Sequence, residues 1–239
     1  MSGRTSRFHH PGGKGLSFRE IINLMPPHRR YVETHLGAGA VLRRKRPAAE
    51  TIGIEIDPAV VERWRALSLP DLCLIEGDAH IVLPELALDD ADLVYCDPPY
   101  HPETRRSRRH YYRFDYDEAA HEALLDLLLS LRCRIILSGY RNDLYDARLS
   151  DWIRTDYLAL THRGQVIESA WTNFEPGPPL HDYTYIGADF RERERLRRRA
   201  SGLARRIGSA EPIELHAALA GLAGTHPEAV LAAAERIGK

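Results

Sequence analysis

Short apolar runs, each stopped by glycines or acids, alternate along this chain with stretches of helical spacing. Tyr31 to Leu36, Thr51 to Asp57, Leu72 to Ile75, Leu93 to Cys96 and Arg134 to Ser138 are rich in β-branched and aromatic residues and read as buried strands. Between them, Phe18, Ile21, Ile22 and Met25 recur at helical spacing, and a short basic helix is expected after Leu42. Pro58 opens a further helix, and Asp117 to Leu131 and Asn142 to Leu149 read as two more. Trp152 to Leu160 and Glu168 to Phe174, joined by residues 161–165, read as an antiparallel pair. The pattern predicts an α/β fold: a mostly parallel sheet of βα units that ends in an antiparallel hairpin.

Beyond Phe174 the pattern changes. Glu175 to Pro179 is proline-rich and marks a boundary, which divides the chain into a domain at 1–175, a linker at 176–190 and a helical extension at 191–239. From Arg191 to Arg206, eight arginines stand against two glutamates among good helix formers, either as a solvated helix or as one lying along a nucleic-acid backbone. Ile213 to Ile237 is Ala- and Leu-rich at helical spacing, with an apolar face expected to pack within the protein or on a partner.

Composition narrows the class. The 239 residues carry a net charge of −1, so any attraction to a polyanion must come from uneven placement of the arginines. Cys73, Cys96 and Cys133 lie in or beside apolar runs without metal-ligand or disulfide spacing, so they read as reduced core residues of a cytoplasmic protein with no metal. No apolar run approaches a membrane span, and no membrane association is expected.

The chemistry gathers where strands end. Leu93 to Cys96 runs into Asp97-Pro98-Pro99-Tyr100. The two prolines fix φ and remove two donors, so a carboxylate, bare carbonyls and an aromatic ring stand together at a strand's carboxyl end. That set suits a flat, amino-bearing heterocycle: Asp97 and the Pro98 carbonyl accept from an exocyclic amine while Tyr100 stacks on the ring. The first strand runs into Gly37-Ala38-Gly39, a turn for close approach to a cofactor. Leu42 stands where the third glycine of a dinucleotide fingerprint would fall, which argues against a nicotinamide or flavin cofactor. Glu55 ends the second strand, where an acid can hold ribose hydroxyls, and Asp57 is assigned to cap the next helix. Asp78 ends the third strand at the same edge. Before the first helix, Pro11-Gly12-Gly13-Lys14 reads either as a flexible arm or as a ligand loop with a cation beside it. After Tyr100, Arg105, Arg106, Arg108, Arg109 and Arg113 are interleaved with Tyr111, Tyr112 and Phe114, a composition suited to phosphate contacts.

Together these motifs resemble the Dam-like D12 class of adenine-N6 DNA methyltransferases, over roughly residues 8 to 175. Gly12-Gly13-Lys14 resembles the family's N-terminal motif, Gly37-Ala38-Gly39 its glycine loop and Asp97-Pro98-Pro99-Tyr100 its catalytic tetrapeptide, in the family's order. The resemblance implies a Rossmann-like S-adenosylmethionine-dependent methyltransferase fold. It implies catalytic roles for Asp97, Pro98, Pro99 and Tyr100. It also implies cofactor contacts at Gly12, Gly13, Lys14, Glu33, His35, Leu36, Gly37, Ala38, Gly39, Glu55, Ile56, Asp78, Ala79 and Asp97. Within that set Glu55 holds the ribose, Asp78 the cofactor's adenine amine, and the glycine loop with Lys14 the methionine end. Double-stranded DNA is the implied partner, with a cognate restriction enzyme a further candidate; composition, not the resemblance, assigns the DNA contacts to Arg105, Arg106, Arg108, Arg109, Tyr112 and Arg113.

The chain departs from the family in two places. Thr34-His35 stands where Pro-Phe is usual, and only about sixty residues separate Gly37 from Asp97, too few for the large target-recognition insert of longer members. The same amine chemistry on cytosine N4, and a non-catalytic arginine-rich DNA binder on this scaffold, are the alternatives. C5 methylation of cytosine needs a nucleophilic thiol, and Cys96 lies inside the strand before Asp97.

Overall fold

A computed structural model of the chain describes residues 14–104, 113–161 and 164–234. The chain divides into two compact units, Met1–Ile22 with His28–Pro176, and Asn23–Pro27 with Gly177–Lys239.

The first unit is built on one seven-stranded sheet. Its elements are α1 (Phe18–Leu24, whose last two residues belong to the second unit), β1 (Arg30–Glu33), β2 (Glu50–Glu55), α2 (Pro58–Arg65), β3 (Cys73–Glu76), α3 (Ala79–Glu85), β4 (Leu93–Cys96), α4 (Glu118–Ser130), β5 (Arg134–Gly139), α5 (Asp143–Arg148), β6 (Ile153–Thr161) and β7 (Gly164–Thr172). The strands lie in the order β3-β2-β1-β4-β5-β7-β6. β1 to β5 pair in parallel, while β7 runs antiparallel to both β5 and β6. This is the mostly parallel Rossmann-like sheet with an antiparallel C-terminal hairpin that the sequence predicts. All four residues of β4 are buried, as a strand covered on both faces requires. Val32, Ile54, Val94, Ile135 and Leu137 of the sheet share a core with Leu124, Leu125 and Leu128 of α4. Strand order reverses between β1 and β4, so the crevice that such sheets open at the strands' carboxyl ends falls at Thr34 to Gly37 and at Asp97.

Two local expectations change. No regular helix follows the glycine loop: Arg43 N bonds to Gly39 O and Lys45 N to Val41 O in a run of turns. Pro47 lies too close behind to let a helix develop. The hairpin connection is also tighter than expected, since Thr161 pairs with Gly164 and Leu158 with Ile167. Gly164, at φ 110, permits the closure, and Val166 and Ile167 belong to the strand that their β-branched side chains favour.

The second unit contains α6 (Phe190–Gly208), α7 (Pro212–Thr225) and α8 (Pro227–Ala234). The single apolar stretch expected here is split at Pro227, which opens a new helix because it cannot continue the old one. Of the two expectations for its apolar face, packing within the protein is not seen for Ile213, Leu219, Leu222 and Leu231, which are exposed. Within the unit, Asn23 donates to Tyr185 O at 3.0 Å and His181 N to Met25 O at 2.8 Å. Among the described residues no helix is long and apolar enough to cross a membrane.

Candidate active site

One cavity opens over the carboxyl ends of β1, β2, β3 and β4. Every described residue assigned from the sequence to catalysis or cofactor lines it: Lys14, Glu33, His35, Leu36, Gly37, Ala38, Gly39, Glu55, Ile56, Asp78, Ala79, Asp97, Pro98, Pro99 and Tyr100. Gly12, Gly13, Arg105, Arg106, Arg108, Arg109 and Tyr112 lie outside the described residues. Arg113, expected on phosphates, lines the same cavity 3.6 Å from the Asp57 carboxylate.

At one end stands Asp97, carried out of the sheet by β4. Its Oδ1 accepts from Lys14 Nζ at 2.8 Å and from Ser138 Oγ, on neighbouring β5, at 3.0 Å. Lys14 continues to Glu168 Oε2 at 3.2 Å and to the Tyr100 hydroxyl at 3.3 Å. Glu168, on β7, also accepts from Tyr100 at 3.0 Å and from Tyr157, on β6, at 3.2 Å. A lysine buried between two carboxylates is thus tied to the tetrapeptide's tyrosine. Burial pulls the Lys14 ammonium toward neutrality, but Asp97 beside it reverses the shift and holds its pKa well above the usual range. Asp97 is raised by burial, with Lys14 opposing and Glu168 adding to the shift. The resemblance puts Lys14, with the glycine loop, at the cofactor's methionine end; in the folded chain its ammonium pairs with Asp97 and Glu168. The Tyr100 ring lies 4.5 Å from that of Tyr140, centroid to centroid.

In the middle of the cavity the glycine loop is clamped from behind. Gly37 and Gly39 have φ of 45° and 55°, conformations open to glycine. Gly37 N donates to Glu55 Oε2 at 2.8 Å, Asp57 N donates to Glu55 Oε1 at 2.9 Å, and Trp64 Nε1 donates to Gly37 O at 2.8 Å. Glu55 therefore orients the loop as well as lining the wall. Asp57 caps α2, as its position before Pro58 suggests. Below the loop, Glu33 accepts from Tyr31 at 2.7 Å and from Leu42 N at 3.0 Å, and burial pushes its pKa up to about 8.

A polar chain forms the remaining wall. His35 meets Thr34 Oγ1 at 2.7 Å and the Tyr116 hydroxyl at 3.0 Å; Tyr116 reaches His80 at 3.1 Å, and His80 reaches Asp78 at 2.9 Å. Burial drives the His35 pKa down to about 3, so the ring is neutral. Asp78 also caps α3 through His80 N, which gives it a structural task beside the one expected. Burial pushes the Cys96 thiol up to about 12, which leaves no thiolate nucleophile there at neutral pH.

Sequence reading missed Ser138 and Glu168, which bond to Asp97 and Tyr100 from 41 and 68 positions away, and Tyr157, which bonds to Glu168. It also missed Thr34, His80 and Tyr116. The one local signal was Glu168 itself, an acid flanked by Ile167 and Ser169 in an apolar strand. Among the described residues no group of three or more His, Cys, Asp or Glu side chains is placed to hold a metal ion.

The glycine loop, the Glu55 carboxylate, Ile56 and Asp78 line this one cavity together with Asp97. Residues 62–158 match the family described as D12 class N6 adenine-specific DNA methyltransferase, a span that includes the Asp97 tetrapeptide. The matched span is less than half of the chain, so it marks a similarity to that family. No curated protein matches. Among solved structures, the precorrin 8W decarboxylase of Methanobacterium thermoautotrophicum is 17% identical, with 70% of this chain and 94% of that one covered at a TM-score of 0.44. TrmK of M. capricolum, in complex with S-adenosyl-homocysteine, is 8% identical over 84% and 90% at 0.46. The putative methyltransferase yhhF of Escherichia coli is 15% identical over 61% and 76% at 0.39.

Proposed function

We propose that this chain transfers a methyl group from S-adenosylmethionine to the N6 amine of an adenine flipped out of duplex DNA. The family match is the ground for adenine and for DNA. The observation that carries the chemistry is Asp97: a half-buried carboxylate at the sheet's switch point, followed by two prolines, in the same cavity as the glycine loop and Glu55.

When bound, S-adenosylmethionine supplies a methyl on a sulfonium, an electrophile already activated. What the chain must supply is a nucleophile. The N6 lone pair of adenine is delocalised into its ring, and acceptance of the two amine hydrogens by Asp97 and the Pro98 carbonyl favours the localised form as the new N–C bond develops. Tyr100 offers the face on which the extruded base stacks. As the bond forms, the nitrogen becomes cationic and must shed a proton. Lys14 is held protonated and cannot take it, so Asp97, whose basicity burial has raised, is the acceptor. Glu168 keeps Lys14 paired when the amine claims Asp97.

The test is transfer of labelled methyl to unmethylated duplex DNA by the wild type and by Asp97→Ala, followed by digestion to nucleosides. Label in N6-methyl-2′-deoxyadenosine that disappears in the variant is the expected result. Label in N4-methyl-2′-deoxycytidine would change the base, and no label despite bound cofactor would end the reading.

A further inference from the structure

We infer that α6 is a phosphate-binding face for double-stranded DNA. Its 19 residues include eight arginines and two glutamates, a net charge of +6 on a chain whose total is −1, which leaves the remaining residues at −7. Beside the arginine cluster at residues 105–113, α6 is where attraction for a polyanion is concentrated.

The arginines are not spread evenly. At 100° per residue, Arg191, Arg195, Arg198, Arg199, Arg205 and Arg206 fall within an arc of about 120°, with Gly202 near its centre. No large apolar side chain shares that arc. Leu196, Leu203 and Ile207 lie on one flank, about 100° to 140° from the arc's centre, and of these Leu196 and Ile207 are half-buried. A helix lying in a membrane needs a broad apolar face open to lipid, which this one lacks. The two glutamates sit at the edges of the arc in the first turns and pair locally: Arg195 with Glu192 at 3.4 Å, Arg198 with Glu194 at 3.7 Å, and Arg197 with Glu194. Past Glu194 the helix carries no acid, so Arg199, Arg205 and Arg206 have no carboxylate on their own helix to neutralise them.

Glu194 and Arg198 form one opposite-charge i,i+4 pair, but at the same spacing Arg191 faces Arg195 and Arg195 faces Arg199, like charges whose repulsion a bridging anion relieves. From Arg191 to Arg206 the face runs about 22 Å, at 1.5 Å per residue, which matches the axial rise of about six phosphates on one strand. All the cations are arginine, whose planar fork grips phosphate oxygens in pairs, and Gly202 lets the backbone approach. The preference for DNA over another polyanion rests on the substrate proposed above; the arginine face does not.

The experiment measures binding alone. Arg191→Ala, Arg198→Ala, Arg199→Ala and Arg206→Ala are combined in the full chain; alanine favours the helix, and circular dichroism checks that it persists. Fluorescence anisotropy with a short labelled duplex is then read across a salt series, and cofactor affinity by calorimetry. The slope of log K against log salt should flatten by about 3.6, at 0.9 per lost phosphate contact, with at least a tenfold loss of affinity at low salt and unchanged cofactor binding. That result stands for α6 even if the wild type transfers no methyl. An unchanged slope and affinity with an intact helix would overturn it, as would loss of binding to phosphatidylserine vesicles with DNA binding retained.

Discussion

Glu168 sets the geometry of the tetrapeptide without being part of it. Three donors converge on its carboxylate, from Lys14, Tyr100 and Tyr157, in a site where side-chain exposure is 6%. A buried carboxylate that accepts charge-assisted bonds fixes its donors more firmly than neutral groups would. Glu168→Gln keeps the shape but removes the charge that pairs Lys14, and it turns one acceptor into a donor facing donors. As a positioning residue it should then affect turnover more than binding: kcat falls by about 10- to 100-fold, the equivalent of one or two charged hydrogen bonds, while cofactor affinity and the KM for DNA stay near wild type. Tyr157→Phe, which removes one donor, should show a smaller loss of the same kind. Steady-state kinetics beside calorimetry would check this, and a wild-type kcat in Glu168→Gln would contradict it.

The loop after β1 shows what an element demands of single residues. A Cβ on Gly39 would meet Trp64 at 2.4 and 2.6 Å, and its φ of 55° already strains any other residue. Trp64 cannot yield easily, because it is buried and its indole N–H holds Gly37 O. Gly39→Ala should cost about 1 to 3 kcal/mol and weaken cofactor binding together with stability. Gly202→Ala is the contrast: it lies in α6 with nothing within 4 Å of its Cβ, and should be neutral or stabilise by up to about 1 kcal/mol. Thermal melts of the two variants, with calorimetry on the first, give both answers. Element identity was well marked in the sequence where the period was strong, as in β4 or in α4 behind its Asp117 cap. It was poorly marked at Leu42 to Arg46, where basic residues of good helix propensity are held in turns by glycines behind and proline ahead.

At the scale of the whole molecule, stability should depend on pH through Glu33. Its folded pKa of about 8 stands above the ordinary 4.5 because burial disfavours its charge. The folded state therefore binds the proton more tightly than the unfolded one. This stabilising contribution is fully present below pH 4.5 and is lost as pH rises through 8. Glu33→Gln removes the dependence, so the variant's melting temperature should gain on the wild type between pH 5 and 8, by at most about 5 kcal/mol in stability. A constant difference across that range would contradict it.

The chain by itself determined the strands, the parallel sheet with its closing hairpin, the residues at the strand ends and the resemblance that joins them. Each of these is local: a run of β-branched residues, a proline pair or a glycine turn restricts backbone and side chains within a few positions. The folded structure alone decided that Lys14 bonds to Asp97 and Glu168, that Ser138 and Tyr157 reach the site, and that His35 is held neutral among Thr34, Tyr116 and His80. Those facts follow from strand order. β4 lies beside β5 and β5 beside β7, so residues 138, 157 and 168 converge on the end of β4, and only pairing across the sheet carries that information.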